Sequence, residues 1–113
     1  MSIEGLWSVD FGSGGGIAVM ETGRVFGGDS WFAYTGDYEV DGTSVTARLR
    51  LQRHNPSPSA IDVWGSGDNL DDVDVVLSLS GDQWRAKGVM AKAAGSVVRP
   101  LAVTIKKLSE LPG

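Results

Sequence analysis

Apolar and polar residues alternate along most of this chain. Between Ser44 and Arg53, Val45, Ala47, Leu49 and Leu51 share one face, and Thr46, Arg48, Arg50 and Gln52 share the other. A strand sends successive side chains to opposite sides, whereas a helix would scatter these four apolar residues around its circumference. The same period predicts strands over Gly5 to Phe11, with Trp7, Val9 and Phe11 together, and over Phe32 to Tyr38, with Phe32, Tyr34 and Tyr38 together. It returns at Val73, Val75, Leu77 and Leu79, at Trp84, Ala86, Gly88 and Met90, and at Leu101, Val103 and Ile105. Ile17 to Thr22 also reads as a strand, but Ile17 and Val19 are too similar to Ala18 and Met20 to assign an inner face. Val25-Phe26 reads as a short strand.

Turn signals separate these runs. The glycine-rich stretch 12–16, Gly23-Arg24, Asp41-Gly42, Gly81-Asp82 and the small residues 93–96 each mark a reversal. Asp41-Gly42 predicts a type I′ hairpin, which needs positive φ at both central positions. Gly27-Gly28 predicts a corner where the backbone bends or meets a neighbour closely, with Asp29 and Ser30 able to hydrogen-bond the turned chain. Two prolines in Asn55-Pro56-Ser57-Pro58-Ser59 remove ladder donors, so residues 54–72 form an irregular excursion. Ile61-Asp62-Val63-Trp64 reads as a short edge strand inside it. Residues 1–4 read as a lead-in and 109–113 as a flexible tail.

About eight closely spaced strands with no amphipathic helix imply an all-β fold over residues 1–113, an antiparallel up-and-down β-barrel in a single domain. Trp7, Phe11, Phe32, Tyr34, Tyr38, Leu49, Leu77, Trp84 and Ile105 are expected inside. Eight strands enclose a space that side chains just fill, or that holds one small ligand. On the outside, Val76 and Val89 are expected to meet across their hairpin. An apolar spot of that kind predicts a homodimer interface, with the outward Trp31 joining it.

Composition narrows the functional classes. Among 113 residues there are 14 acids and 10 bases, a formal net charge of −4, which argues against direct binding to nucleic acid. Cysteine is absent, so there is no disulfide framework and no thiolate chemistry. No apolar stretch approaches the ~20 residues of a membrane span, and the start lacks a signal-peptide pattern, so the expected address is the cytoplasm. The glycine run lacks the Gly-Lys-Ser/Thr of a phosphate loop. Asp68, Asp71, Asp72 and Asp74 do not follow calcium-loop spacing. His54 is the single histidine, and no serine stands in a nucleophile elbow. Asp29 reads as an acid that satisfies its own turn. The expectation is a protein that is not an enzyme and that carries no metal or cofactor.

Four segments together carry a resemblance: Gly5-Leu6-Trp7-Ser8-Val9-Asp10-Phe11, Gly23-Arg24-Val25-Phe26-Gly27-Gly28-Asp29, Tyr34-Thr35-Gly36, and Arg53-His54-Asn55. They resemble the GrlR-like family, small bacterial proteins related to a negative regulator of type III secretion. The likeness covers the first half of the chain closely and the second half by strand order, and the Gly-x-Trp opening is also similar to that of lipocalins. It implies a lipocalin-like barrel, dimerisation, and action by binding a transcriptional activator rather than DNA. A family regulator carries consecutive acids in the hairpin after the aromatic strand. The matching segment here is Glu39-Val40-Asp41-Gly42-Thr43, so the resemblance implies Glu39, Asp41 and Gly42 as the partner contact. The alternative is a carrier or sensor of a small apolar ligand held in the barrel interior.

Overall fold

The computed structural model describes residues 3–12, 14–55, 70–92 and 101–111. The alternating runs become eight strands: β1 (Gly5–Asp10), β2 (Gly15–Glu21), β3 (Arg24–Gly28), β4 (Phe32–Asp41), β5 (Ser44–Arg53), β6 (Leu70–Leu79), β7 (Arg85–Lys92) and β8 (Leu101–Ser109). Each pairs antiparallel with the next, and β8 returns to pair with β1, which closes an up-and-down barrel. Closure leaves none of these eight strands at a sheet edge. No helix among the described residues is long and apolar enough to cross a membrane. The predicted edge strand at Ile61 to Trp64 lies outside the described residues.

Every second side chain enters the barrel. Trp7, Phe32, Tyr34, Tyr38, Leu77 and Ile105 are buried there as expected, and Phe11 and Leu49 pack partly buried against the same core. On β2 the inner face is Ala18 and Met20, while Ile17 points out. Register explains the choice: Ala18 stands directly opposite Trp7, where a small side chain leaves room for the indole. Trp84 departs from expectation. It precedes β7 and is half-buried at one end of the barrel, where the Lys107 ammonium lies 5.2 Å from its ring centroid.

Lys107 continues the inward parity of Leu101, Val103 and Ile105, and its side chain is almost wholly buried. Its ammonium sits 5.6 Å from the centre of the Trp7 ring and pairs with Glu110 at 3.3 Å. The two indoles and the carboxylate offset the cost of burying that charge. The chain ends are tied to this region. The Trp7 indole N–H donates to the Ile3 carbonyl at 2.9 Å, and Glu4 accepts from the Thr22 amide at 2.7 Å. Ile3 and Glu4 of the lead-in are therefore docked, and Ser109, expected in the tail, still pairs with Leu6.

The hairpin predicted at Asp41-Gly42 differs from the prediction in position and type. Asp41 pairs with Ser44, leaving Gly42 and Thr43 as the central residues. Only Gly42 has positive φ, at 62°, which is the sign pattern of a type II′ turn rather than type I′. The pairing is fixed by Val45, since a one-residue slip would turn this fully buried valine to solvent. The type I′ signs appear instead at Thr22 and Gly23, with φ of 51° and 77°. The register makes a sharp test. Val45→Asp should prevent folding, because an unpaired buried charge costs several kcal/mol. Thr46→Lys, one position along on the outer face, should stay within about 1 kcal/mol of wild type in urea denaturation.

Candidate functional site

The inner faces do not fill the barrel evenly. At the end where β1 begins and β8 finishes, Ile3, Trp7, Tyr38, Val45, Leu79, Ala86 and Lys107 pack into a solid floor. Above it lies a cavity of about 660 Å³, within the range that holds a small organic ligand. Val9, Ala18, Met20, Val25, Leu49, Leu51, Val73, Val75, Leu77, Met90, Val103 and Ile105 are among the apolar residues of its wall. Of the residues expected inside, Phe11, Phe32, Tyr34, Leu49, Leu77 and Ile105 line the cavity, whereas Trp7, Tyr38 and Trp84 do not.

The cavity reaches the far end of the barrel, where β1, β3, β5 and β7 finish and where Gly14, Ser30 and Trp31 form part of its wall. The mouth is built on the Gly27-Gly28-Asp29 corner. A Cβ at Gly27 would collide with the Ile17 carbonyl of β2, so β3 comes this close only with glycine there. Asp29 then ties the corner together. Its Oδ1 accepts from the amides of Trp31 and Phe32, each at 2.8 Å, and its Oδ2 accepts a short hydrogen bond from the Tyr34 hydroxyl. The end of β5 locks on from the other side. His54 donates from Nε2 to the Asp29 carbonyl at 2.9 Å and from its amide to the Trp31 carbonyl at 3.0 Å. Asn55 donates its side-chain amide to the Ser30 carbonyl at 3.2 Å.

Asp29 was legible as a turn acid, and it does hold its turn. The period-two pattern did not reveal that the same carboxylate also meets Tyr34 at the wall of a cavity. Nor did it show that the Gly27-Gly28-Asp29 and Arg53-His54-Asn55 segments meet here.

The other singled-out residues lie elsewhere. Glu39, Asp41 and Gly42 are exposed at the hairpin on the floor end, opposite the mouth. Val76 and Val89 are direct cross-strand partners and both are exposed on the outer wall. Trp31 does not join them. Val76 is level with Thr46 and hence with Glu39, eight positions along β4 from Trp31. At ~3.3 Å per residue that is roughly 26 Å along the strand. Asp74 points outward and pairs with Arg48 at 3.3 Å in solvent. Asp68 and the side chains of Asp71 and Asp72 lie outside the described residues, as does Trp64. Among the described residues no group of three or more acidic or histidine side chains is placed to hold a metal.

No protein-family model matches the chain, and no curated protein matches it either.

Both tyrosines of the chain sit where ionisation is opposed. Burial pushes the Tyr34 hydroxyl far above its ordinary value, and the bond to Asp29 pushes it further. Burial also raises Tyr38, with the nearby charge of Glu4 adding to it and a backbone bond to Gly23 opposing it. A raised folded pKa means the protonated phenols contribute stability in full below the ordinary value of 10.0, and this is lost as pH rises beyond it. Tyrosinate absorbance should therefore appear together with alkaline unfolding, and Tyr34→Phe should flatten the fall in stability above pH 10. A tyrosine that titrates at its ordinary value in the folded protein would contradict this placement.

Proposed function

We propose that this barrel binds a small apolar molecule in its interior. The observation that carries the reading is the cavity of about 660 Å³ with, among the described residues, an apolar wall, a packed floor and one polar corner. A pre-formed pocket avoids much of the ordering cost of binding, and the bonds that tie Asp29, His54 and Asn55 together hold its rim in shape. Binding is favoured over chemistry because Asp29 and His54 are already committed to that rim.

The test is a neutral, environment-sensitive naphthalene dye titrated into wild type and Ala47→Trp. Ala47 lines the cavity, so a tryptophan there fills the space without touching the rim. Saturable binding by wild type, weakened about tenfold or more in the variant, supports the reading. Equal binding by a folded Ala47→Trp places the dye elsewhere and removes it. Native mass spectrometry of protein from its own host should show a co-purifying small molecule.

A second reading concerns the opposite end and the outer wall. There the barrel acts as a regulatory module that binds a protein partner, as the resemblance to the GrlR-like family implies, with a transcriptional regulator as the expected class. The exposed acids Glu39 and Asp41 and the paired valines Val76 and Val89 support it. Two exposed charges add about 1 kcal/mol or less each, so an apolar contact, such as a dimer through the valines, has to supply the rest. Glu39→Lys/Asp41→Lys should lose a partner captured from host lysate, and wild type should sediment as a dimer that Val76→Lys disrupts. A partner retained with unchanged salt dependence rules out the hairpin as its contact.

A further inference from the structure

The polar corner of the cavity is one-sided in its charge. Among the described residues, the polar side chains on the wall are Asp29, Ser30 and Tyr34, with the indole of Trp31, and no lysine, arginine or histidine is among them. Asp29 is the charged group among these described residues. A carboxylate has about four lone-pair sites. Three are taken, by the amides of Trp31 and Phe32 and by the Tyr34 hydroxyl. Tyr34 spends its proton on Asp29, and burial together with that bond keeps the phenol protonated. What the pair offers an occupant is therefore acceptor capacity: the remaining site on Oδ2 and the lone pairs of the phenol oxygen.

Resting on the reading of the cavity as a ligand site, we infer that it takes amphiphiles with an apolar body and a cationic head, a protonated amine, and discriminates against carboxylates. An ammonium at the corner donates to Asp29 and Tyr34 and compensates the carboxylate beside an apolar wall. A fatty-acid head would place a second carboxylate against Asp29, and the two like charges would repel. A neutral alcohol can donate to the same acceptors but lacks the charge, and falls between the two.

The experiment displaces the naphthalene dye from the full chain at neutral pH with dodecylamine, dodecanol and dodecanoate, each below its micelle concentration. The expected order is amine, alcohol, carboxylate, with amine and carboxylate separated by about tenfold or more. Asp29→Asn should collapse that gap. Glu21→Gln removes the same net charge from the floor end and should leave the gap intact, which separates a local effect from the overall charge of −4. Tyr34→Phe keeps the carboxylate while freeing it of a partner. It should keep or widen the gap, and it serves as the deciding variant if Asp29→Asn does not fold. Dodecanoate binding as tightly as dodecylamine overturns the inference while leaving the cavity reading in place, as does a gap that survives Asp29→Asn or is lost in Tyr34→Phe. Failure of all three compounds, dodecanol included, removes both.

Discussion

Closure of eight strands fixes the radius of this barrel, and that radius depends little on sequence. Within a fixed radius, side-chain volume decides whether the interior is a solid core or a container. Here the decision differs along the axis. At one end Trp7, Tyr38 and Val45 pack into a floor, with the Lys107 ammonium lying over the rings of Trp7 and Trp84. Toward the other end the inward positions include Ala18 and Ala47, whose small side chains line the open middle of the barrel. Protein interiors are normally packed as densely as organic crystals, so space on this scale forgoes dispersion contacts that a filled core would make. The floor is packed by side chains, and the corner at the open end is held by hydrogen bonds.

Asp29 is the centre of that second arrangement. Gly27 lets β3 approach β2 and Gly28 lets it approach β4, and the Asp29 carboxylate gathers two backbone amides and the Tyr34 phenol. His54 and Asn55 bring the end of β5 onto the same loop. A chain corner and a cavity rim are thereby one object, which joins fold to function: the bonds that stop the corner from fraying also present acceptors to whatever enters. The acidic hairpin at Glu39 and Asp41 lies at the opposite end. Interior binding and a surface interaction are thus physically separable in this molecule.

Much of the barrel was legible in the sequence because period-two alternation is a direct readout of strand faces. Val45, Ala47, Leu49 and Leu51 marked a strand and its inner face, but not its register: the hairpin turns on Gly42-Thr43 rather than on Asp41-Gly42. The inner face of β2 was not legible, since Ile17, Ala18, Val19 and Met20 are all apolar. It is set by the bulk of Trp7 across the ladder, a fact of pairing rather than of pattern. Lys107 was concealed by its charge, although its parity with Val103 and Ile105 was a usable signal. The Trp84 parity was read correctly, yet a residue beyond the end of a strand lies past the enclosed part of the barrel. The cavity depends on how the inward side chains stack along the axis, which strand tilt and stagger determine and alternation does not report.

The central claim is that the interior, and not the outer wall, receives the ligand. It can be tested by following methyl resonances of the folded protein during titration with a neutral apolar ligand. Val73, Val75, Val103, Ile105 and Met90 line the cavity, Val45 lies in the floor, and Val76 and Val89 face solvent. The account predicts saturable shifts and ligand-to-methyl contacts for the first group, with Val76 and Val89 unmoved. Contacts confined to Val76 and Val89, with the cavity methyls unchanged, would contradict it.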